Sequence, residues 1–163
     1  MPQYTPPMRD MQFLMHEVLD AVETLKLCPK YSDIDAETLN AVLEEGGKFA
    51  AEVTAPLNLS GDEQGCTLDK ATHEVTSPKG FKAAYAQYVE AGWAALSCDP
   101  EYGGQGLPLI LNQCFYEMLN SANQAWTMYP GLSHGAYEAL HAHGTPEQKA
   151  TYLPKLTSGQ WTG

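Results

Sequence analysis

Pro100-Glu101-Tyr102-Gly103-Gly104-Gln105-Gly106-Leu107-Pro108 sets a glycine-rich turn between two prolines and separates two blocks of helical periodicity. Glycine lets the backbone turn tightly there, and Pro108 opens a helix. That helix carries Leu111, Phe115, Met118 and Ala122 at i, i+4, i+7 and i+11. Downstream, Gly144-Thr145-Pro146-Glu147-Gln148-Lys149 runs into Tyr152-Leu153-Pro154-Lys155-Leu156-Thr157-Ser158-Gly159. Thr145 reads as N-cap, Pro146 as the first helical residue and Gln148 as the third, a T-x-x-Q capping box. Between these two signals, Pro130-Gly131 interrupts or precedes a further helix bearing Leu132, Ala136, Ala139 and Leu140 on one side.

Upstream the same period recurs. Met11, Leu14, Met15, Val18, Val22 and Leu25 place one face of a helix from about Arg9 to Leu25, ended by Cys28-Pro29. Asp35 is the expected N-cap of a second helix, whose stripe of Leu39, Val42, Leu43, Ala50, Val53 and Leu57 continues through Gly46-Gly47. Paired glycines inside a helix cost on the order of 1 kcal/mol each against alanine, so they mark a bend or a close helix crossing. From Asn58 to Ser77 the pattern lapses into a long polar loop, within which Thr67-Leu68 and Glu74-Val75-Thr76 fit a short two-stranded ribbon. Ser77-Pro78 then reads as the start of a third helix that buries Phe81, Ala84, Tyr85 and Tyr88 and ends near Gly92-Trp93. The expected architecture is all-α. It is a roughly six-helix, mostly antiparallel bundle with a long irregular loop between the second and third helices. Its expected spans are an N-terminal helix within 1–30, then 35–57, 78–92, 108–125, 131–143 and 146–157.

The 163 residues suffice for one domain with its own core, and 44% hydrophobic with 18% charged content describes an ordinary globule. Acidic residues outnumber basic ones 20 to 9, a formal charge of -11, with no basic run. Nucleic acid and anionic membrane surfaces are both bound through clustered positive charge, so neither is an expected partner. No apolar run is long enough to span a bilayer, and Met1-Pro2-Gln3-Tyr4-Thr5-Pro6-Pro7 lacks the basic start and apolar core of a signal peptide. Cys28, Cys66, Cys98 and Cys114 form no C-x-x-C pair and read as reduced, partly buried thiols of a cytoplasmic protein.

Local motifs yield little chemistry. Gly103-Gly104-Gln105-Gly106 lacks the spacing of a phosphate cradle and reads as a structural turn. His134, Glu138 and His141 share a helical face at i, i+4 and i+7, but the spacing is not that of an H-E-x-x-H zinc site, and no metal is expected. There is no G-x-S-x-G elbow and no papain-like cysteine motif.

The P-E-x-G-G-x-G-L turn together with the G-T-x-E-Q-K-x-x-Y-L-P-x-L-x-x-G helix resembles the N-terminal helical domain of the acyl-CoA dehydrogenases. The N-terminal helix and the Gly65-Cys66-Thr67-Leu68 loop resemble the longer bacterial subgroup of that family, which includes 3-methylmercaptopropionyl-CoA dehydrogenase-like enzymes. The resemblance implies a parent with a middle β-domain and a C-terminal bundle, FAD and an acyl-CoA thioester held between them, and electron-transfer flavoprotein as acceptor. A carboxylate base takes the α-proton while the β-hydride passes to the flavin. In most of the family that base lies in the C-terminal bundle, and flavin contacts begin at a T-E-P segment expected just beyond Gly163. The chain by itself is therefore expected to be inactive, with no catalytic and no cofactor-binding residue of its own, and to be cut from a homo-oligomeric parent. The acidic chain is also expected to hold the polyanionic end of coenzyme A poorly.

What the resemblance places within these residues is a wall of the acyl pocket. Matching back from Gly144, it falls on Thr127, Met128, Gly131, Leu132 and Gly135. Glycine at 131, where relatives often carry a larger side chain, leaves room for a long, branched or aromatic acyl group, unless Trp126 and Tyr129 refill it. An acyl-CoA oxidase and a non-catalytic helical interaction module are the alternatives. Separated from its neighbours, the domain is expected to self-associate through the face of its fourth and fifth helices.

Overall fold

The computed structural model describes residues 3–162. Helix α1 (Met8–Phe13) continues through a π turn, Leu14–Val18, and stops at Asp20, where φ is 45°. Helix α2 (Ala21–Lys26) starts after it. The single helix expected from Arg9 to Leu25 is thus two, because the chain enters the left-handed region at an aspartate, a residue that tolerates it. The extra residue of the π turn also rotates the apolar stripe. Met11 and Met15 stay buried, whereas Leu14 and Val18 face solvent.

Helix α3 (Ala36–Phe49) begins where expected, with the Asp35 carboxylate accepting from the Thr38 amide at 2.7 Å. It passes through Gly46-Gly47 unbroken. A β-carbon at Gly46 would lie 2.8 Å from Cδ2 of Phe115, and one at Gly47 3.2 Å from Sδ of Met8. The pair therefore marks a close crossing, with the helix of Phe115 on one side and the N-terminal segment on the other. A π turn, Ala50–Thr54, follows. Next comes α4 (Leu57–Gln64), a helix in the stretch expected to be loop. Asn58, Ser60, Gly61 and Asp62 are poor helix formers, and tertiary packing overrides them. Gly61 lies against the Phe81 ring, and the Gln64 side chain accepts from the Lys79 amide at 2.9 Å. Strands β1 (Thr67–Leu68) and β2 (Val75–Thr76) then pair antiparallel, Thr67 with Thr76 and Leu68 with Val75.

Helix α5 (Phe81–Glu90) is capped by Gly80 at φ 94°, not by Ser77. Pro78 instead supplies the carbonyl that closes a turn onto the Phe81 amide. Ala84 and Tyr88 are buried on α5, and Phe81 and Tyr85 are half-buried.

Helix α6 spans Leu109–His143 with one non-helical residue, Asn123, at φ -160° and ψ 86°. The break expected at Pro130-Gly131 is therefore seven positions early in the chain, and Pro130 is accommodated inside the second segment, 124–143. Asn123 is that segment's N-cap: its Oδ1 accepts from the Trp126 amide at 3.1 Å. Helix α7 (Pro146–Thr157) carries the expected capping box, with bonds of 2.9 Å and 3.3 Å between Thr145 and Gln148.

The core centres on Phe49. The rings of Tyr88, Trp93, Phe115 and Trp126 all lie 6.1–6.3 Å from it. Aliphatic side chains of α3 and α6, notably Leu39, Leu43, Leu111, Met118 and Leu119, close around this cluster. A smaller cluster of Cys98, Tyr137, Leu153 and Leu156 fastens α7 to α6. Among the described residues β1 and β2 are the only strands, so the fold is all-α in character. No helix of the described residues is long and apolar enough to cross a membrane.

Candidate functional site

The glycine turn spends its amides on itself. Gly103 donates to Pro100, Gly104 to Asp99, Gln105 to Ala95, Gly106 to Cys98 and Leu107 to Leu96, at 2.9–3.1 Å. With those donors committed to backbone carbonyls, the segment cannot cradle an anion. Its role is to seat α6 against the 3₁₀ turns at Trp93–Ala95 and Pro100–Tyr102.

His134, Glu138 and His141 also do not converge. The His134 ring accepts from the Asn112 amide at 3.1 Å with Glu138 at 3.8 Å, while His141 lies 3.4 Å from Asp99. Burial pushes His134 below its ordinary 6.5. Of the cysteines, Cys28 and Cys66 are exposed, Cys114 is half-buried and Cys98 is buried. Desolvation raises the Cys98 thiol to about 11, so it stays protonated and inert near neutrality. The phenols behave likewise, with Tyr85 and Tyr137 raised to about 12 by burial.

The five residues singled out from the sequence separate by helical position. Met128, Leu132 and Gly135 lie on the outer flank of segment 124–143, with Met128 and Leu132 each 60% exposed and Gly135 open to space. Gly131 is half-buried, and a β-carbon there would touch Cε1 of Tyr116 at 3.6 Å. Thr127 points inward, fully buried, its hydroxyl donating to the Asn123 carbonyl at 2.9 Å. Thr127 thus anchors the start of the segment, while Met128 and Leu132 form its outward apolar surface.

At 100° per residue, Gly135, Met128, Leu132, Ala125 and Tyr129 share an arc of about 120°. Tyr129, 52% exposed, stands over Tyr85 at 5.1 Å in an edge-to-face contact and accepts a hydrogen bond from Thr162 at 3.1 Å. Trp126 is not on this surface. It is buried in the core, its indole donating to the Phe81 carbonyl at 3.2 Å. Sequence reasoning missed Asn123, whose signal was its own type: an N-cap residue followed by Trp126 and Thr127.

Residues 36–160 match the family model for the acyl-CoA dehydrogenase N-terminal domain. The chain is 39% identical over 160 residues to the 3-methylmercaptopropionyl-CoA dehydrogenase of Ruegeria pomeroyi, covering 98% of this chain and 27% of that protein. It is 32% identical over 162 residues to a butyryl-CoA dehydrogenase of Syntrophomonas wolfei, covering 98% and 26%. The chain therefore spans about a quarter of the length of these relatives. A solved structure described as an electron transferring flavoprotein of Acidaminococcus fermentans superposes with TM-score 0.62 at 20% identity, over 80% of this chain and 31% of its own, a likeness of fold.

Proposed function

Because this chain belongs to the acyl-CoA dehydrogenase family as its N-terminal domain, we propose that it builds one wall of the acyl pocket in an enzyme that desaturates acyl-CoA thioesters. The observation that carries this reading is the outward strip of Met128 and Leu132 beside Gly135. Two large apolar side chains are 60% exposed on a helix whose opposite side buries Thr127, Pro130 and Tyr137. Such a surface is stable when an apolar group covers it, and a hydrocarbon chain lying along it excludes water from both. Thr127 and Asn123 hold the strip in place from behind, so the wall is rigid before substrate arrives.

FAD would supply the hydride acceptor in such an enzyme. The residues described here do not fit it. The cleft beside α1 is lined by aliphatic side chains with Asp10 and Glu117, the one beside α5 mainly by rings, and a charge of -11 opposes a dinucleotide's diphosphate. The flavin, the thioester's nucleotide end and the proton-abstracting carboxylate are therefore assigned to the remainder of the length that the relatives carry. In this reading the reduced enzyme passes its electrons to an electron-transfer flavoprotein in the cytoplasm, and the isolated domain pairs through the Met128–Leu132 strip. A strictly monomeric sedimentation profile at high concentration contradicts that pairing.

The test of the function is the flavin absorbance of the longer polypeptide that carries this domain, followed anaerobically as a panel of acyl-CoAs is added. Bleaching is expected. A protein that takes up no flavin contradicts the reading and favours a non-catalytic helical module.

A further inference from the structure

A cleft of about 460 Å³ opens between α5 and the start of segment 124–143, bordered by Cys66 just before β1 and Ser77 just after β2. Phe81, Tyr85, Trp126 and Tyr129 supply its rings, with Pro78 and Ala125 between them. The volume lies within the about 300–1,000 Å³ typical of small-molecule sites. The polar atoms of three of those rings are already engaged elsewhere. The Trp126 indole donates to Phe81, the Tyr85 hydroxyl donates to the Gly159 carbonyl at 3.0 Å, and the Tyr129 hydroxyl accepts from Thr162. Phe81 has no polar atom. What the rings present to the cleft is therefore mainly hydrocarbon surface, which suits an apolar occupant, with Cys66, Ser77 and Lys82 completing the lining.

The cleft also continues the strip described above. Ala125 and Tyr129 are at once its inner edge and the neighbours of Met128 and Leu132 on the same exposed arc. A group lying along Met128 and Leu132 reaches the cleft by passing Ala125, a small side chain that leaves the way open. Edge-to-face stacking of the kind Tyr129 already makes with Tyr85 favours a flat ring as the occupant over a flexible alkyl chain.

We propose that the juxtaposition of the Met128–Leu132 strip with the Phe81–Tyr85–Trp126–Tyr129 cleft makes this domain a receptor for acyl groups ending in an aromatic ring, the strip holding the chain and the cleft the ring. The proposal rests on the acyl-CoA reading, and the experiment separates the two. In the longer polypeptide, kcat/KM is measured for phenylpropionyl-CoA and butyryl-CoA in the wild type and in Ala125→Phe, which fills the cleft from an exposed position. The variant is expected to lose roughly tenfold or more with phenylpropionyl-CoA and to change little with butyryl-CoA. Equal effects on both substrates, or a wild type that does not turn over phenylpropionyl-CoA while it does turn over butyryl-CoA, overturns the cleft assignment. If neither thioester reduces the flavin, the desaturase reading falls instead, and the cleft is judged on this chain alone. Phenylpropionyl-pantetheine should then quench tryptophan emission in the wild type and not in Ala125→Phe, and absence of quenching in the wild type overturns the site.

Discussion

The Asn123 side-chain amide donates to the Thr54 carbonyl at 3.0 Å, joining the one non-helical residue of α6 to the last residue of the Ala50–Thr54 π turn. Both residues are buried. The Asn58 amide, the regular donor to the Thr54 carbonyl, bonds to Ala55 instead at 3.1 Å, and Asn123, turned out of its own helix, is placed to satisfy that carbonyl. Two irregularities in distant parts of the chain thus complete one another, and between them they set where segment 124–143 begins.

Asn123→Ala should therefore destabilise the fold by about 2–4 kcal/mol, the sum of a lost N-cap and an unsatisfied buried carbonyl. Urea unfolding with an unchanged slope and a lowered midpoint is the expected result. A midpoint equal to the wild type's would show that the kink is held by something other than this bond.

Gly104 is the position of the glycine turn with no room at all. A β-carbon there would lie 2.0 Å from the Cys98 carbonyl oxygen, which also accepts the Gly106 amide at 2.9 Å. Gly104→Ala must displace backbone and should be severely destabilising. Gly135→Ala is its counterpart: nothing lies within 4 Å, and an exposed helical glycine replaced by alanine should stabilise by up to about 1 kcal/mol. Thermal melts moving in opposite directions are expected from the two variants.

His134 links stability to pH. Its pKa is lowered by burial, with Glu138 acting weakly the other way, so the unfolded chain binds the proton more readily than the folded one. Stability from this residue is complete above the ordinary 6.5 and is lost as pH falls through that value towards the lower folded pKa. Unfolding midpoints between about pH 7.5 and about pH 5.5 should drop, and His134→Gln should flatten the part of that slope due to this ring. An unaltered slope in the variant would assign the dependence elsewhere.

These tests fall where the sequence and the structure part company. Capping is a local transaction, so Asp35 and the Thr145-Gln148 box were readable from residue types and spacing alone. The ribbon at Thr67–Leu68 and Val75–Thr76 was readable because its turn signals lie within a few residues. Helix α4 was not, because what stabilises it is contact with Phe81 and Lys79, far along the chain. Asn123 and Pro130 competed as the site of the break, and the stronger helix breaker lost. Pro130 sits within a continuous helix, its carbonyl accepting from the Tyr116 hydroxyl at 3.1 Å, whereas Asn123 adds to its local cap on Trp126 a bond to the Thr54 carbonyl that exists only in the folded core. The outward strip was legible as positions by resemblance, but not the inward turn of Thr127, nor the cleft, whose walls come from segments more than forty residues apart.

If the strip is the acyl wall, Gly131 is the position that tests substrate size. Its missing side chain faces Tyr116 from a half-buried site at the edge of the strip. In the longer polypeptide, Gly131→Leu should shift preference towards short acyl chains. A profile of kcat/KM against chain length identical to the wild type's would remove Gly131 from the pocket wall.

The most direct measurement is the kinetics of Leu132→Asp in the longer polypeptide with its flavin bound, because the substitution places a charge on a position that is 60% exposed in the domain. If the strip is the acyl wall, KM for butyryl-CoA should rise roughly tenfold or more, with flavin content and melting temperature unchanged. Wild-type kinetics in that variant would contradict the assignment of this surface to the acyl group.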